Sequence, residues 1–314
     1  MDKLISVVIP TYNRAELLSN TLCSLKLQTL NKDKFEVIVV DDGGSDNSRE
    51  IVDSFKKDLN VKYFWHEDKG FRVARTRNVG IIHSEGEYIA FLDTGIFASS
   101  KMLESHLNLH LSSSHPTVSV GYMYGLGLTN KQARMLLSSL ERYRRDPNKC
   151  IEIAKNMKLG DIRQYQFDIL GENIHSWPAP FDLFLTGNIC IGKTELYKVG
   201  MFDETFNKWG GEDVDLGIRL FQNNNVYILN RSACAIHWPH EKNSNSQWLS
   251  EAKRLHKKYN IWQTKYYELC STGKVHPNIS LNLMVKFIGP YMEENKMIEF
   301  IKLHKSQLDA KQQP

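Results

Sequence analysis

Phe35-Glu36-Val37-Ile38-Val39-Val40-Asp41-Asp42-Gly43-Gly44-Ser45 decides the architecture. Phe35 to Val40 is short, apolar and β-branched, the pattern of a strand buried on both faces. It stops at two acids, two glycines and a serine, which are turn residues. On its N-terminal side, Leu4 to Ile9 repeats the strand pattern, and Pro10 is expected to end it. Thr11-Tyr12-Asn13-Arg14 then forms a loop into Ala15 to Leu27, where Leu17, Leu18, Leu22 and Leu25 keep helical spacing. On its C-terminal side, the pattern predicts a helix over 46–55 and a strand over 61–65. A turn at Asp68-Lys69-Gly70-Phe71 leads into a helix carrying Arg72, Arg75, Arg77 and Asn78. A fourth strand, Tyr88 to Leu92, ends at Asp93-Thr94-Gly95, and Met102 to Leu111 is helical. Strands alternating with helices make an α/β fold with a mostly parallel central sheet and helices on both faces. Ligands in such sheets bind beyond the carboxyl ends of the strands, and each of these polar clusters falls at such an end.

After Val120 the rhythm breaks. Gly121 to Gly127 is glycine-rich, residues 133–159 read as helix interrupted at Pro147, and residues 160–180 read as irregular. The expectation is an insert over about 121–180, on the acceptor side, without strands. Leu185 to Ile191 returns to strand character, Lys193 to Val199 to helix, and Val226 to Leu229 to strand. His237-Trp238-Pro239-His240 is expected as a loop. Residues 247–267 and most of the remaining chain read as helix, broken at Pro277 and Pro290, giving a main domain over 1–242 and a helical extension over 243–314.

Of 314 residues, 41% are hydrophobic and 24% charged, which fits one large or two small globular domains. The net charge of +4 is too small to argue for nucleic acid. Residues 241–314 hold 12 Lys/Arg against 7 Asp/Glu, an excess of five. A solvated helical face is the plainer reading of that excess; peripheral membrane contact is the other. Five scattered cysteines without a C-x-x-C pair favour reduced thiols in a cytoplasmic protein. No signal peptide is visible, and no apolar run approaches the ~20 residues of a membrane span.

The chemistry gathers at Trp209-Gly210-Gly211-Glu212-Asp213-Val214-Asp215, where a loop becomes an amphipathic helix. Acids in a first helical turn complement the dipole. Beside an aromatic such as Trp209, a carboxylate can also be desolvated and made a better base. Asp41-Asp42 can accept hydrogen bonds from a base or ribose, or can simply make a turn. Lys69, Arg72, Arg75 and Arg77 around a helix start suit a phosphate or a solvated basic face. Asp93 at a strand end can touch a ribose or a metal, and His237 and His240 can be ligands or an acid/base pair. Neither G-x-G-x-x-G after the first strand nor a P-loop occurs.

In order, SVVIPTYNR, VIVVDDGGSDNS, DKGFRVARTRN, YIAFLDTG, TGNICIGK and WGGEDVDLGIRL resemble family 2 glycosyltransferases of the GT-A fold over residues 4–242. DKGF…RN with WGGED is similar to the chondroitin-polymerase and β-galactosyltransferase-like branch. The resemblance implies transfer of a sugar from a UDP-sugar donor, with inversion, to a hydroxyl-bearing acceptor. Carried onto this sequence, Pro10, Thr11, Tyr12 and Arg14 would line the base, and Asp42 would hold uracil or ribose. Lys69, Arg72 and Arg77 would face the diphosphate or order its loop. Asp213 matches the catalytic base, with Glu212, Trp209 and Gly211 on the acceptor side. Asp93 matches the first acid of a D-x-D motif, and His237 or His240 matches a late histidine of the metal site.

One departure matters: D-x-D reads Asp93-Thr94-Gly95. The missing acid would ordinarily bind Mn²⁺ or Mg²⁺. The expectation is either a weakly held ion on Asp93 and a histidine, or neutralisation of the leaving group by Lys69, Arg72 and Arg75. The alternative to an enzyme is a non-catalytic protein that binds sugar nucleotides. Donor sugar, acceptor and linkage are not encoded in any pattern visible in the sequence.

Overall fold

A computed structural model describes residues 4–208, 210–239, 248–271 and 281–288. Trp209, His240, Pro277, Pro290 and residues 289–314, on which expectations rested, lie outside the described residues. The chain begins β1 (Ile5–Thr11), α1 (Ala15–Lys26), β2 (Phe35–Asp41), α2 (Ser48–Phe55), β3 (Val61–Trp65), α3 (Val73–Ile82) and β4 (Tyr88–Phe91). β5 (Ile96–Ala98), α4 (Met102–Ser112), β6 (Thr117–Tyr124), α5 (Asn130–Leu140), α6 (Pro147–Asn156) and α7 (Gln164–Leu170) come next. The last elements are β7 (Ile189–Gly192), α8 (Lys193–Lys198), α9 (Glu212–Gln222), β8 (Val226–His237), α10 (Trp248–Tyr259), α11 (Trp262–Ser271) and α12 (Leu281–Ile288).

One eight-stranded sheet runs β3-β2-β1-β4-β7-β6-β8-β5. β1 to β4 pair in parallel, as do β6 and β8; β7 runs antiparallel to both neighbours, and β5 antiparallel to β8. The strand alternation sends successive residues to opposite faces. On one face Val7, Ile9, Val37 and Val39 meet Leu18 and Leu22 of α1, Val52 of α2 and Leu103 of α4. On the other, Val8, Ile89, Phe91 and Val120 meet Ala74 and Ile81 of α3 and Leu216 and Leu220 of α9. Leu255 of α10, Tyr267 of α11 and Leu281 of α12 join that second core. The C-terminal helices therefore pack into the same core as the sheet.

Several expectations change. Pro10 does not end β1: it pairs with Val40, and its carbonyl accepts from the Thr94 hydroxyl at 2.8 Å. Its missing N–H costs nothing, because it faces the β4 side, where pairing has already stopped at Phe91 opposite Val8. The 121–180 insert is not strandless, since β6 continues through Gly121 to Tyr124. β8 likewise does not stop at Leu229. Residues 231–233 bulge out of the ladder, the register jumps from Gly121↔Asn230 to Tyr122↔Cys234, and pairing resumes to His237. His237 is therefore the last residue of a strand rather than part of a loop. α10 and α11, read as one helix, are separated at Asn260, whose φ is +47°. Among the described residues no helix is long and apolar enough to cross a membrane.

Candidate active site

Glu212 and Asp213 open α9, directly after Gly211, where free backbone N–H groups and the helix dipole favour anions. They are not left to the dipole alone. Arg77, on α3, is buried and reaches three acids: Nη1 donates to Glu212 Oε1 at 3.2 Å and Asp213 Oδ1 at 3.3 Å, and Nη2 to Asp93 Oδ1 at 3.0 Å. Burial works against the Arg77 charge, and Asp93, Asp213 and Glu212 together more than restore it. Arg77 is thus committed to carboxylates that arrive from the end of β4 and the start of α9.

Asp213 has a second anchor. The Thr186 backbone N–H donates to its Oδ2 at 3.0 Å and the Thr186 hydroxyl to its Oδ1 at 2.9 Å. Thr186 sits just before β7, and the segment leading to it is held by a buried bidentate pair. Arg163 Nε and Nη2 grip Asp161, Nη1 donates to the Leu183 carbonyl at 2.9 Å, and Nη2 also donates to the Gly121 carbonyl at 2.8 Å. Burial raises the pKa of Asp213, and Arg77 and Thr186 oppose that rise. Burial and the neighbouring Asp213 raise Glu212 as well. Glu212 Oε2 is buried with no hydrogen-bond partner among the described residues. Asp213, with its donors, is the better-stabilised anion of the pair; Glu212 is the readier to hold a proton.

At the carboxyl ends of β1 and β2 the two adjacent acids have different work. Asp41 is consumed structurally, accepting from Tyr63 Oη at 2.7 Å and from the Gly44 N–H at 2.7 Å. Asp42 turns to the other side. Its Oδ2 accepts the Arg72 backbone N–H at 2.8 Å, and its Oδ1 lies 3.4 Å from Arg72 Nη2 and 3.5 Å from His66 Nδ1. Burial leads the upward shift of its pKa. Gly43 makes this junction: its φ is +93°, and a Cβ there would stand 2.4 Å from the Asp68 backbone. Thr11 is buried and its hydroxyl has no partner among the described residues. Tyr12 is exposed and donates to Asp68 at 3.0 Å; Pro10 is half-buried and Arg14 exposed at the start of α1.

The four cations expected as one cluster are dispersed. Lys69 lies exposed 3.2 Å from Glu67, Arg72 is drawn to Asp42 and His66, Arg75 lies 3.7 Å from Glu204, and Arg77 is inside. Asn78 is inside too, exchanging hydrogen bonds of 2.9 Å with the Phe202 backbone.

Among the described residues no three His, Cys, Asp or Glu side chains gather as an ion site. The strands do bring two donors to one edge. β5 pairs Ile96 with His237, the Trp238 N–H donates to the Gly95 carbonyl at 2.9 Å, and Asp93 begins the same turn with its side chain 42% exposed. A carboxylate and an imidazole are donor types that Mn²⁺ or Mg²⁺ accepts alongside phosphate oxygens, and here the backbone places one of each at neighbouring positions. Gly95 adds no ligand, and its φ of +98° disfavours any side chain there.

The family model for glycosyl transferase family 2 matches residues 6–172, and one described as the N-terminal domain of galactosyltransferase matches residues 171–236. The chain belongs to glycosyl transferase family 2. It is 36% identical over 240 residues to validoxylamine A glucosyltransferase of Streptomyces hygroscopicus subsp. jinggangensis, covering 76% of this chain and 56% of that one. It is 34% identical over 223 residues to chondroitin synthase of Pasteurella multocida, covering 69% of this chain and 23% of that one. The chain thus spans about half or less of these relatives. The structure of S. aureus TarS 1–349 in complex with UDP superposes with a TM-score of 0.55 at 19% identity, over 81% of this chain and 65% of that one. The fold is accordingly GT-A.

Within this family 2 chain, sequence reading missed Thr186, His66 and the committed role of Arg77. Thr186 had a signal, a Thr-Gly-Asn at a strand entrance. His66 had none: its network with Arg72, Thr76 and Asp42 exists only once β3 and α3 are folded together.

Proposed function

We propose that the chain is an inverting glycosyltransferase that moves a hexose or N-acetylhexosamine from a UDP-sugar to a hydroxyl of a glycan, glycolipid or natural product. The observation that carries this reading is the Asp213 carboxylate at the start of α9, fixed by Thr186 and Arg77 beside a Glu212 oxygen that has no partner among the described residues. A base fixed this way takes the acceptor hydroxyl proton while keeping its orientation. The acceptor oxygen then attacks the anomeric carbon from the face opposite UDP. The carbon–oxygen bond to the diphosphate breaks, and UDP leaves with the electron pair. Glu212 Oε2 would accept a hydrogen bond from the acceptor, and Gly211 and Trp209 are proposed as further acceptor-binding residues. Thr11, Asp42 and the residues around Pro10, Tyr12 and Arg14 would hold the nucleoside.

Asp93 and His237 would hold Mn²⁺ or Mg²⁺, and His240 could join them. Such an ion, when bound, supplies charge neutralisation to the diphosphate. Names among the relatives agree with this chemistry: a glucosyltransferase, a chondroitin synthase, and TarS in complex with UDP or UDP-GlcNAc. We place the protein in the cytoplasm, with the basic residues of 241–314 suited to peripheral contact with an anionic membrane surface. The catalytic domain is taken as 1–242, and the C-terminal helices as its extension.

The test is a donor screen by thermal shift, then product analysis with wild type and Asp213→Asn. Donor binding at 100-fold over Kd should stabilise by about 2.7 kcal/mol. Asp213→Asn should bind UDP and lose about 10²–10⁴-fold in turnover. Gly95, which subtracts a metal ligand, favours a second reading: a non-catalytic binder of sugar nucleotides. That protein would bind UDP yet release none from any UDP-sugar offered with acceptors.

A further inference from the structure

Asp215 lies two residues after Asp213 on α9. At 100° per residue the two side chains leave the helix on different faces. Asp213 faces Thr186 and Arg77, whereas Asp215 is buried against α10. Its carboxylate accepts from Arg219 Nη2 and Tyr259 Oη, both at 2.6 Å, and from Lys258 Nζ at 2.5 Å. Lys258 also reaches Asp203 Oδ2 at 2.8 Å, so one ammonium ties the segment that precedes α9 to α9 itself.

Other residues of α10 grip the same two places. The Arg254 guanidinium donates to the Thr205 carbonyl and hydroxyl and lies 4.3 Å over the Phe206 ring. Gly211 sits so close to α10 that a Cβ on it would stand 3.0 Å from the Glu251 Cβ. Both ends of the connection that delivers Glu212 and Asp213 are therefore built onto α10. The family models stop at residue 236, so α10 belongs to neither.

We infer that α10 positions the candidate base: Lys258 and Tyr259, acting through Asp215, set the rotation and height of α9 at which Asp213 meets Thr186 and Arg77. This rests on the reading of Asp213 as the base. Lys258 and Tyr259 touch neither acid of the site. They are positioning residues, and their loss displaces a helix that otherwise keeps its hydrophobic face in the core.

The experiment uses the full chain with Lys258→Met, Tyr259→Phe, the double variant, Lys258→Arg and, in parallel, Asp213→Asn. Turnover is read as UDP release with the donor and acceptor found by the screen, and UDP affinity by calorimetry. Misplacing a base by about 1 Å costs on the order of 10²-fold. The expectation is a fall in kcat of at least about tenfold in the double variant, with UDP affinity unchanged and Lys258→Arg recovering most of the single-variant loss. A smaller fall in kcat would overturn the proposal. So would a joint loss of kcat and UDP affinity, which would mean that the sheet itself had come apart. If Asp213→Asn keeps its turnover, it is the assignment of the base that fails. If Asp213→Asn is dead and the double variant is not, only the role of α10 fails.

Discussion

Replacing Arg77 with Met asks the most of the site. The guanidinium is 5% exposed and lies 3.0–3.3 Å from Asp93, Glu212 and Asp213. Removing one partner of a buried ion pair costs about 3–5 kcal/mol, because the other charge is left without compensation. Here the orphaned acids can take up protons instead, so the lower end applies, about 3 kcal/mol. At roughly 2–4 °C per kcal/mol, the melting midpoint should fall by about 6–12 °C. The catalytic effect comes from the same escape. Arg77 lowers the pKa of both Glu212 and Asp213. Without it both rise, and the acid limb of the pH–turnover profile moves to higher pH. Turnover at neutral pH should drop about 10²–10⁴-fold and recover partly in alkaline buffer. Arg77→Lys keeps the charge without the fork and should fall between. UDP release measured from pH 5 to 9, with melting curves and UDP calorimetry, checks all three. An unmoved acid limb with intact turnover refutes the reasoning. An unmoved limb with weakened UDP affinity would instead put Arg77 on the diphosphate.

Asp42→Ala should weaken UDP and every UDP-sugar by the same factor, because Asp42 would touch only the shared nucleoside; unchanged calorimetric affinity for UDP would move the base pocket elsewhere. Glu212→Gln should cost turnover and gain stability at high pH. The folded protein holds a proton on Glu212 more tightly than the unfolded chain does, so the wild type loses stability as pH rises above about 4.3 through the raised folded value. The melting gap between variant and wild type should widen from pH 5 to pH 8, and a constant gap would contradict it. For the metal, UDP affinity should be tighter in excess Mn²⁺ than in EDTA, while the free protein shows little Mn²⁺ affinity. Equal affinity with full activity in EDTA would remove the ion from the mechanism.

Much of the fold was legible because the parallel half of the sheet is built from local signals. Val37, Ile38, Val39 and Val40 are buried on both faces, and such a strand reads as an unbroken apolar run. β6 and β8 were harder. Gly121 interrupts the apolar pattern of β6 where its backbone lies against the Asn188 side chain, a neighbour distant in sequence. The bulge after Asn230 hides the second half of β8 by breaking its alternation at Asn230, Arg231 and Ser232. Pro10 misled for a related reason: whether a proline ends a strand depends on how far its neighbour β4 extends, and β1 alone does not say.

The site divides along the same line. Asp42, Asp93 and Asp213 could be picked out because each ends or begins an element next to a turn, and strand and helix ends are visible in a sequence. What each one bonds to was not visible. Four basic residues between positions 69 and 77 look alike as a string, yet burial sorts them, and only Arg77 enters the space between β4 and α9. That choice is made by residues 16 and 135 positions away, Asp93 and Glu212, whose charges offset the cost of burying a guanidinium. Arg77, in turn, lets three acids crowd one pocket without all becoming neutral. Thr186 then separates the first two acids of α9 by giving its donors to Asp213 and none to Glu212. A pair of adjacent carboxylates in a sequence is symmetric. The folded pair is not, and under the proposed function that asymmetry would let one act as a base while the other meets the acceptor.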